Sequence, residues 1–258
     1  MRCVVSSFWL PRDGSPVEHY EDAYFPRRTG PRTTPRLRLA VADGASESML
    51  SGLWAQTLVR TWCRSPRRHG MADVMASAMS GWDRTLVAYR QGREAEERPI
   101  EWFEQPGLDR GAHATLLGVE LTRPPGGEGR WSAVSLGDSC LFQVRDEQLI
   151  TAFPLADAAD FCNAPKLVPS SARHLGRVVA HLERAEGTWR SGDVLFLATD
   201  ALAAWFLAEA AAGNAPWRTL NRIACDDTAA FAEWATAQRA SRLLRNDDLT
   251  LVRVEPSR

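Results

Sequence analysis

The feature that most constrains this chain is where its carboxylates stand. Asp43 follows the apolar run LRLAVA, Asp138 follows WSAVSL within Gly137-Asp138-Ser139, and Asp200 follows DVLFLAT. Asp247 and Asp248 come directly before LTLVRV, and Glu21 and Asp22 open the short segment EDAYF. Short aliphatic and β-branched runs of this kind read as strands. A carboxylate at a strand end lies at the rim of a sheet. In an antiparallel sheet the C-terminal end of one strand lies beside the N-terminal end of its neighbour. Asp43 and Asp200, which end strands, and Asp247, which begins one, can therefore meet on one rim. Crowded carboxylates repel and raise one another's pKa, and a hard divalent cation such as Mg²⁺ or Mn²⁺ relieves that strain through oxygen ligands. Gly44, next to Asp43, lets the backbone approach closely and offer its carbonyl. Two such ions about 3.5–4 Å apart could activate a bridging water for in-line attack on a phosphoester. Taken singly, each feature is ordinary: Asp43-Gly44 and Gly137-Asp138-Ser139 are turn sequences, Asp200 is a helix N-cap, and Asp247-Asp248 is a solvated loop. Only the joint pattern points to a site.

The elements between these carboxylates read as follows. Residues 2–9 and 37–42 are strands. Residues 10–36 are loop-like and proline-rich, with a short extended piece at Glu21–Phe25. Leu50, Leu53, Trp54, Leu58 and Trp62 fall on one face of a helix with Ser46 or Ser48 as N-cap; Met75, Ala78, Met79, Trp82, Leu86 and Tyr89 keep the same period in a second helix. A polar stretch and a loop then reach Gly111. His113–Leu121, Trp131–Leu136, Cys140–Arg145 and Gln148–Phe153 are strands, with a hairpin loop at Gly126-Gly127-Glu128-Gly129. Residues 154–176 are irregular, Val178–Arg184 and Asp193–Ala198 are strands, and helices follow at Ala201–Ala212, Trp217–Ala224 and Thr228–Leu244. Leu249–Val254 is the last strand. Strands in runs and helices in pairs predict an α+β fold, and with no repeat or long linker a single domain over residues 1–258 is expected.

Composition removes several functions. The 31 basic and 32 acidic residues nearly cancel, so no field draws the chain to nucleic acid or a membrane, and neither is expected as a partner. Lys166 is the only lysine, which excludes a P-loop. The five cysteines are scattered without C-x-x-C, as in reduced intracellular proteins; with no signal peptide and no run of about 18 apolar residues, a cytoplasmic location is expected. The histidines show no H-E-x-x-H spacing, and no G-x-S-x-G is present.

Taken in order, Glu21-Asp22, Val41-Ala42-Asp43-Gly44, Gly111-Ala112-His113-Ala114-Thr115-Leu116-Leu117, Leu136-Gly137-Asp138-Ser139, Gly192–Asp200 and Asp247-Asp248-Leu249-Thr250 resemble the metal-dependent protein phosphatases, the type 2C serine/threonine phosphatases, in a divergent bacterial form. The motifs span residues 21–250. The resemblance implies a central antiparallel β-sandwich flanked by pairs of α-helices, and a centre of two Mn²⁺ or Mg²⁺ ions at one end. By carry-over, Asp43 would bridge both metals, with the Gly44 carbonyl on one. Asp200 and Asp247 would hold the first metal, and Glu21, with Asp22 through water, the second. Asp138 would belong to a third, weaker site. Asp43 and Asp200 would be the catalytic pair. The implied activity is hydrolysis of phosphoserine and phosphothreonine in a phosphorylated protein, by direct attack of the metal-bridging water and without a covalent phosphoenzyme.

The chain departs from the family pattern in four places. Val17 stands where many members have a phosphate-gripping arginine four residues before the first acidic motif; Arg12, Arg27 and Arg28 are the candidates to replace it. Ala201 replaces a glycine, Asp248 an asparagine, and Ala45 cannot donate a proton. Two other readings stand beside an active phosphoprotein phosphatase: a catalytically weak or inactive protein of the same fold that binds a phosphorylated partner, and a phosphatase of small phosphoesters. Among other residues, His113 reads as structural and His19 is within reach of the site. Trp54, Trp62, Trp82 and Trp234 read as core. Trp102-Phe103 is either packed or exposed to a partner. The arginine run Arg27–Arg38 is either a solvated loop or a phosphate contact, and Phe161–Ser171 is a candidate flap.

Overall fold

Strand alternation builds two antiparallel sheets, seen in a computed structural model that describes all residues except 67–68, 162–163, 224–227 and 258. One sheet has six strands in the order β3-β1-β13-β12-β8-β9: Gly30–Thr33 (β3), Arg2–Leu10 (β1), Leu249–Ser257 (β13), Val194–Ala198 (β12), Cys140–Arg145 (β8) and Gln148–Phe153 (β9). The other has five in the order β11-β7-β6-β4-β2: Glu183–Trp189 (β11), Gly129–Leu136 (β7), Leu116–Thr122 (β6), Arg36–Ala42 (β4) and Ala23–Phe25 (β2). His113–Ala114 (β5) and Val168–Pro169 (β10) form a separate two-stranded ribbon. All pairings are antiparallel.

The period of two decides what each face touches. In β4, Leu37, Leu39 and Val41 point inward and pack with Leu117, Val119 and Leu121 of β6, and across the sandwich with Leu195, Leu197, Val252 and Val254. Ala40 and Ala42, on the other face, pack under the helices Ser51–Arg64 (α1) and Met71–Ala95 (α2). The outer face of the six-stranded sheet, with Phe142, Phe196 and Leu251, is covered by Asp200–Ala211 (α5), Pro216–Ile223 (α6) and Thr228–Ala240 (α7). Four layers follow: helices, sheet, sheet, helices. The expected α+β sandwich flanked by helices is the fold observed. No helix among the described residues is long and apolar enough to cross a membrane.

Several local expectations are corrected. Residues 10–36 contain β3, which pairs with β1. Gln105–Arg110 is a short helix (α3) where a loop is expected. Val178–Arg184 is not one strand: Leu175–His181 is a helix (α4), and β11 begins at Glu183. Leu175, Val178 and Leu182 bury one helical face toward α2, a spacing that a short apolar run hides. Gly187 lies within β11; a Cβ there would meet the Trp131 ring at 2.6 Å, so the glycine makes room for a neighbouring strand's indole. The N-cap of α1 is Leu50, with φ 62°, not Ser46 or Ser48. The last helix ends at Ala240, and Ala224 lies outside the described residues. Trp102 and Phe103 stand 84% and 63% exposed in a loop before α3.

Candidate metal centre

Antiparallel register brings the carboxylates to one end of the sandwich. Ala23 of β2 faces Ala42 of β4, so Asp22 and Asp43 lie side by side just beyond a paired rung. In the other sheet Ala198 faces both Cys140 and Leu251. Asp200, Asp138 and the Asp247-Asp248 pair therefore extend from three adjacent strands at the same end. Five loops, drawn from both sheets, supply the rim.

Hydroxyl groups hold these carboxylates in place. Asp22 is buried, and its Oδ2 accepts hydrogen bonds from Thr199 Oγ1 (2.9 Å) and Thr250 Oγ1 (2.7 Å). These two bonds join the sheets across the sandwich, and the Tyr20 hydroxyl lies against that of Thr250. The Asp43 N–H donates to Thr115 Oγ1 (2.9 Å), the Thr115 N–H donates to the Asp43 carbonyl (2.8 Å), and the Thr115 and Ser139 hydroxyls share a bond of 3.0 Å. Asp248 braces the backbone: its Oδ1 accepts from the Arg12 N–H (2.9 Å) and its Oδ2 from the Glu21 N–H (2.7 Å). Ser139 and Thr199 adjoin Asp138 and Asp200 in the sequence and Thr250 lies two residues after Asp248, so nearness to aspartates was a signal for these three; Thr115 has no aspartate near it in the chain and reaches Asp43 only through the fold. Reasoning from charge alone passes over hydroxyls.

The electrostatics show a rim with too much negative charge. Burial first, and then the charges of Asp22, Asp200, Asp138 and Asp247, push the Asp43 carboxyl well above its ordinary range. Asp22 is raised by burial and by Asp248 against the help of its two threonines. Burial and Asp200 push Asp138 up to about 7. Asp22 Oδ1 and Asp138 Oδ1 are buried without a hydrogen-bond partner, an arrangement that costs about 1–3 kcal/mol or more for a charged group. Among the described residues, the Arg245 guanidinium ion-pairs with Asp200 on this rim. Burial outweighs that neighbour, and the Asp200 carboxyl is still raised.

The other expected residues are placed as follows. Asp247 Oδ1 accepts from the Asp248 N–H (3.0 Å), and the Asp247 charge acts on both Asp43 and Asp200. The Glu21 carboxylate is held by the hydroxyls of Ser46 (2.6 Å) and Ser51 at the start of α1. Gly44 bridges to Ala114, and a Cβ there would lie 2.8 Å from the Glu21 carbonyl oxygen. Ala201 takes no left-handed backbone and opens α5 without strain. Val17 is exposed in a 3₁₀ turn, and His19 lines a cavity with Arg12, Glu21 and Ser51. His113, with its pKa lowered by burial and by His174, lines a different cavity of ≈ 380 Å³ with Lys166, His174, Arg177 and His181. In the candidate flap, Val168–Pro169 is β10, tied to α1 by the Trp54 Nε1–H donating to the Val168 carbonyl (2.7 Å); Cys162 and Asn163 lie outside the described residues. So does Cys225, while Cys3, Cys63 and Cys140 are free thiols.

The donors suit a hard divalent cation in kind, because they are carboxylate and carbonyl oxygens. Among the described residues, no group of three His, Cys, Asp or Glu side chains is gathered so as to hold a metal ion as it stands. Asp200 is held by Arg245 in this arrangement.

No family model and no curated protein matches this chain. Solved structures do. The chain is similar to the serine/threonine phosphatase PstP/Ppp of Mycobacterium tuberculosis, with TM-score 0.61 and 15% identity over 100% of both chains. It is similar to PppA, a regulatory component of the T6SS in Pseudomonas aeruginosa, with TM-score 0.55 and 17% identity over 98% of this chain and 97% of that one. It is also similar to the catalytic domain of PstP in complex with two manganese ions, with TM-score 0.53 and 17% identity over 98% of each. The fold of this chain is thus that of the type 2C phosphatases.

Proposed function

We propose that the chain is a divergent metal-dependent protein phosphatase that removes phosphate from phosphoserine and phosphothreonine in a protein substrate, in the cytoplasm. The observation that carries this reading is the convergence of Asp22, Asp43, Asp138, Asp200 and Asp247 from both sheets on one rim, with two buried carboxylate oxygens left bare. The shared fold supports it.

In this reading Asp43, the Gly44 carbonyl, Asp200 and Asp247, with Glu21 and Asp22, would hold two Mn²⁺ or Mg²⁺ ions, and Asp138 would serve a third. When bound, such ions supply positive charge that offsets the carboxylates and the phosphoester and makes a water acidic enough to attack phosphorus. The protein supplies the positioning. Thr199 and Thr250 orient Asp22, and Thr115 fixes the backbone at Asp43. Asp248 clamps the Arg12 and Glu21 backbones, which sets the height of the first acidic motif against Gly44. Arg245 takes the part that Val17 cannot. Its side chain is 47% exposed, and its planar fork suits a phosphate dianion as well as it suits the Asp200 carboxylate.

The test is hydrolysis of a chromogenic aryl phosphate with and without Mn²⁺, by the unaltered chain and by Asp43→Asn. Turnover that requires Mn²⁺ and falls at least a hundredfold in the variant is expected, on the order of the loss of one electrostatic catalytic group. A folded chain inactive at every Mn²⁺ and Mg²⁺ concentration would sink the reading. The Arg245–Asp200 ion pair favours the second reading, a phosphatase fold that binds a phosphorylated partner without turning it over, and that outcome would select it.

A further inference from the structure

Five arginines meet at the edge of the five-stranded sheet with no carboxylate among them. They line a groove of ≈ 350 Å³ where the edge strands of the two sheets approach each other: Arg27 and Arg28 follow β2, Arg32 lies in β3, and Arg60 and Arg64 come from α1. Their neighbours Arg36 and Arg38 are ion-paired with Glu120. Among the described residues none of the five has such a partner. Arg27, Arg28, Arg60 and Arg64 are exposed. Arg32 Nε is buried with no hydrogen-bond partner, although its Nη2 donates to the Arg28 carbonyl (2.6 Å). Like charges this close repel one another, in a chain whose 32 acidic residues could have paired them.

The groove adjoins a cavity that holds one of the candidate ligands, Glu21. Gln56 lines both it and the neighbouring cavity that contains Glu21, Ser46 and Ser51. Along β2, Tyr24 is two residues, or about 7 Å, beyond Asp22. Tyr24 and Phe25 give the groove an apolar wall. The groove lies against the edge strands β2 and β3, a setting that suits an extended peptide. Guanidinium forks suit carboxylates held at intervals along such a peptide.

We propose that this groove binds an acidic segment of the protein substrate, rich in Asp and Glu, beside the phosphorylated residue. The proposal rests on the phosphatase reading for its substrate, and it assigns the sequence preference of that site. It also gives the arginine run a division of labour: Arg36 and Arg38 brace the sheet through Glu120, while Arg27, Arg28 and Arg32 face a ligand.

The experiment measures fluorescence anisotropy of a labelled, unphosphorylated Asp/Glu-rich peptide and of its Asn/Gln counterpart on the full chain. The variant is Arg60→Glu with Arg64→Glu, two exposed positions on α1 outside the candidate centre. The acidic peptide should bind at low salt about tenfold more tightly than the neutral one, weaken as salt screens it, and lose about tenfold or more in the variant. The variant should keep its melting temperature and its Mn²⁺-dependent turnover of an aryl phosphate, which is too small to span the groove. Equal binding of the two peptides would overturn the proposal. So would an unchanged affinity in the folded variant, or tighter binding of an RNA oligomer or an anionic lipid vesicle than of the peptide. Capture of the acidic peptide by a chain that turns over no aryl phosphate would reject the phosphatase reading and leave the groove standing.

Discussion

Gly44 illustrates what a single residue does at this rim. It takes no left-handed backbone, so its need for glycine is not torsional. It is steric, because a Cβ would lie 2.8 Å from the Glu21 carbonyl oxygen and from the Ser51 carbonyl carbon. Backbone atoms cannot step aside as a flexible side chain would. Gly44→Ala should therefore destabilise the fold by about 1–3 kcal/mol, as overpacking does, or roughly 2–10 °C in melting temperature. Gly176→Ala, which points into open space, should be neutral or mildly stabilising. Thermal melts of the two variants make the comparison, and equal shifts would refute the argument. Asp43-Gly44 was legible as a pair in the sequence, but the reason for the glycine was not, because Glu21 and Ser51 reach it only through the fold.

At the scale of elements, α5 shows how a helix is fixed to a sheet. It is apolar on nearly every side, burying Leu202, Trp205, Phe206 and Leu207, which marks an inner helix. Phe206 stacks on Phe142 of β8 with ring centroids 4.2 Å apart and planes 5° from parallel, and it also meets Phe196 and Trp217. The same helix begins with Asp200, so its packing sets the height of a rim carboxylate. Phe206→Ala should cost about 3–5 kcal/mol and lower the denaturant midpoint without changing the slope. A loss under about 1 kcal/mol would mean that α5 is not anchored by this stack. Element types were readable wherever apolar spacing ran long, as in α1, α2 and the strands of both sheets. Reading failed at Val178–Arg184, where a few apolar residues fit either period, and at β3, whose Gly30-Pro31 start carries no strand signal of its own and pairs only because β1 is beside it.

For the whole molecule, the rim makes stability depend on pH. The Asp138 carboxyl rises from 3.8 in the unfolded chain to about 7 in the fold, and Asp22 and Asp43 are raised in the same direction by burial and by their neighbours' charges. The folded chain therefore holds more protons than the unfolded chain between those values, so stability falls as pH rises through this window. Below it, both states are protonated and the effect disappears. In a chelator, the melting temperature should drop between pH 5 and about 7. Adding Mn²⁺ should raise it, and by more at pH 8 than at pH 5, since a cation that binds the folded state stabilises it by mass action and competes with protons for the same oxygens. Scanning fluorimetry across pH with and without Mn²⁺ measures both trends. A melting temperature that rises with pH in chelator, or is indifferent to Mn²⁺, would contradict this account.

The sequence by itself determined the layer pattern and the positions of the acidic residues along it. Both are local: strand period shows in consecutive residues, and each aspartate lies next to the strand that carries it. Only the tertiary structure decided which groups face one another. It turned the Glu21 carboxylate to Ser46 and Ser51 and sank Asp22 between Thr199 and Thr250. It brought Arg245 to Asp200 and gathered Arg27, Arg28 and Arg32 with Arg60 and Arg64. The hydrogen bonds and the ion pair among these contacts join residues from 25 to 228 positions apart in the chain, and a long-range charge meeting leaves no periodicity for a sequence to display.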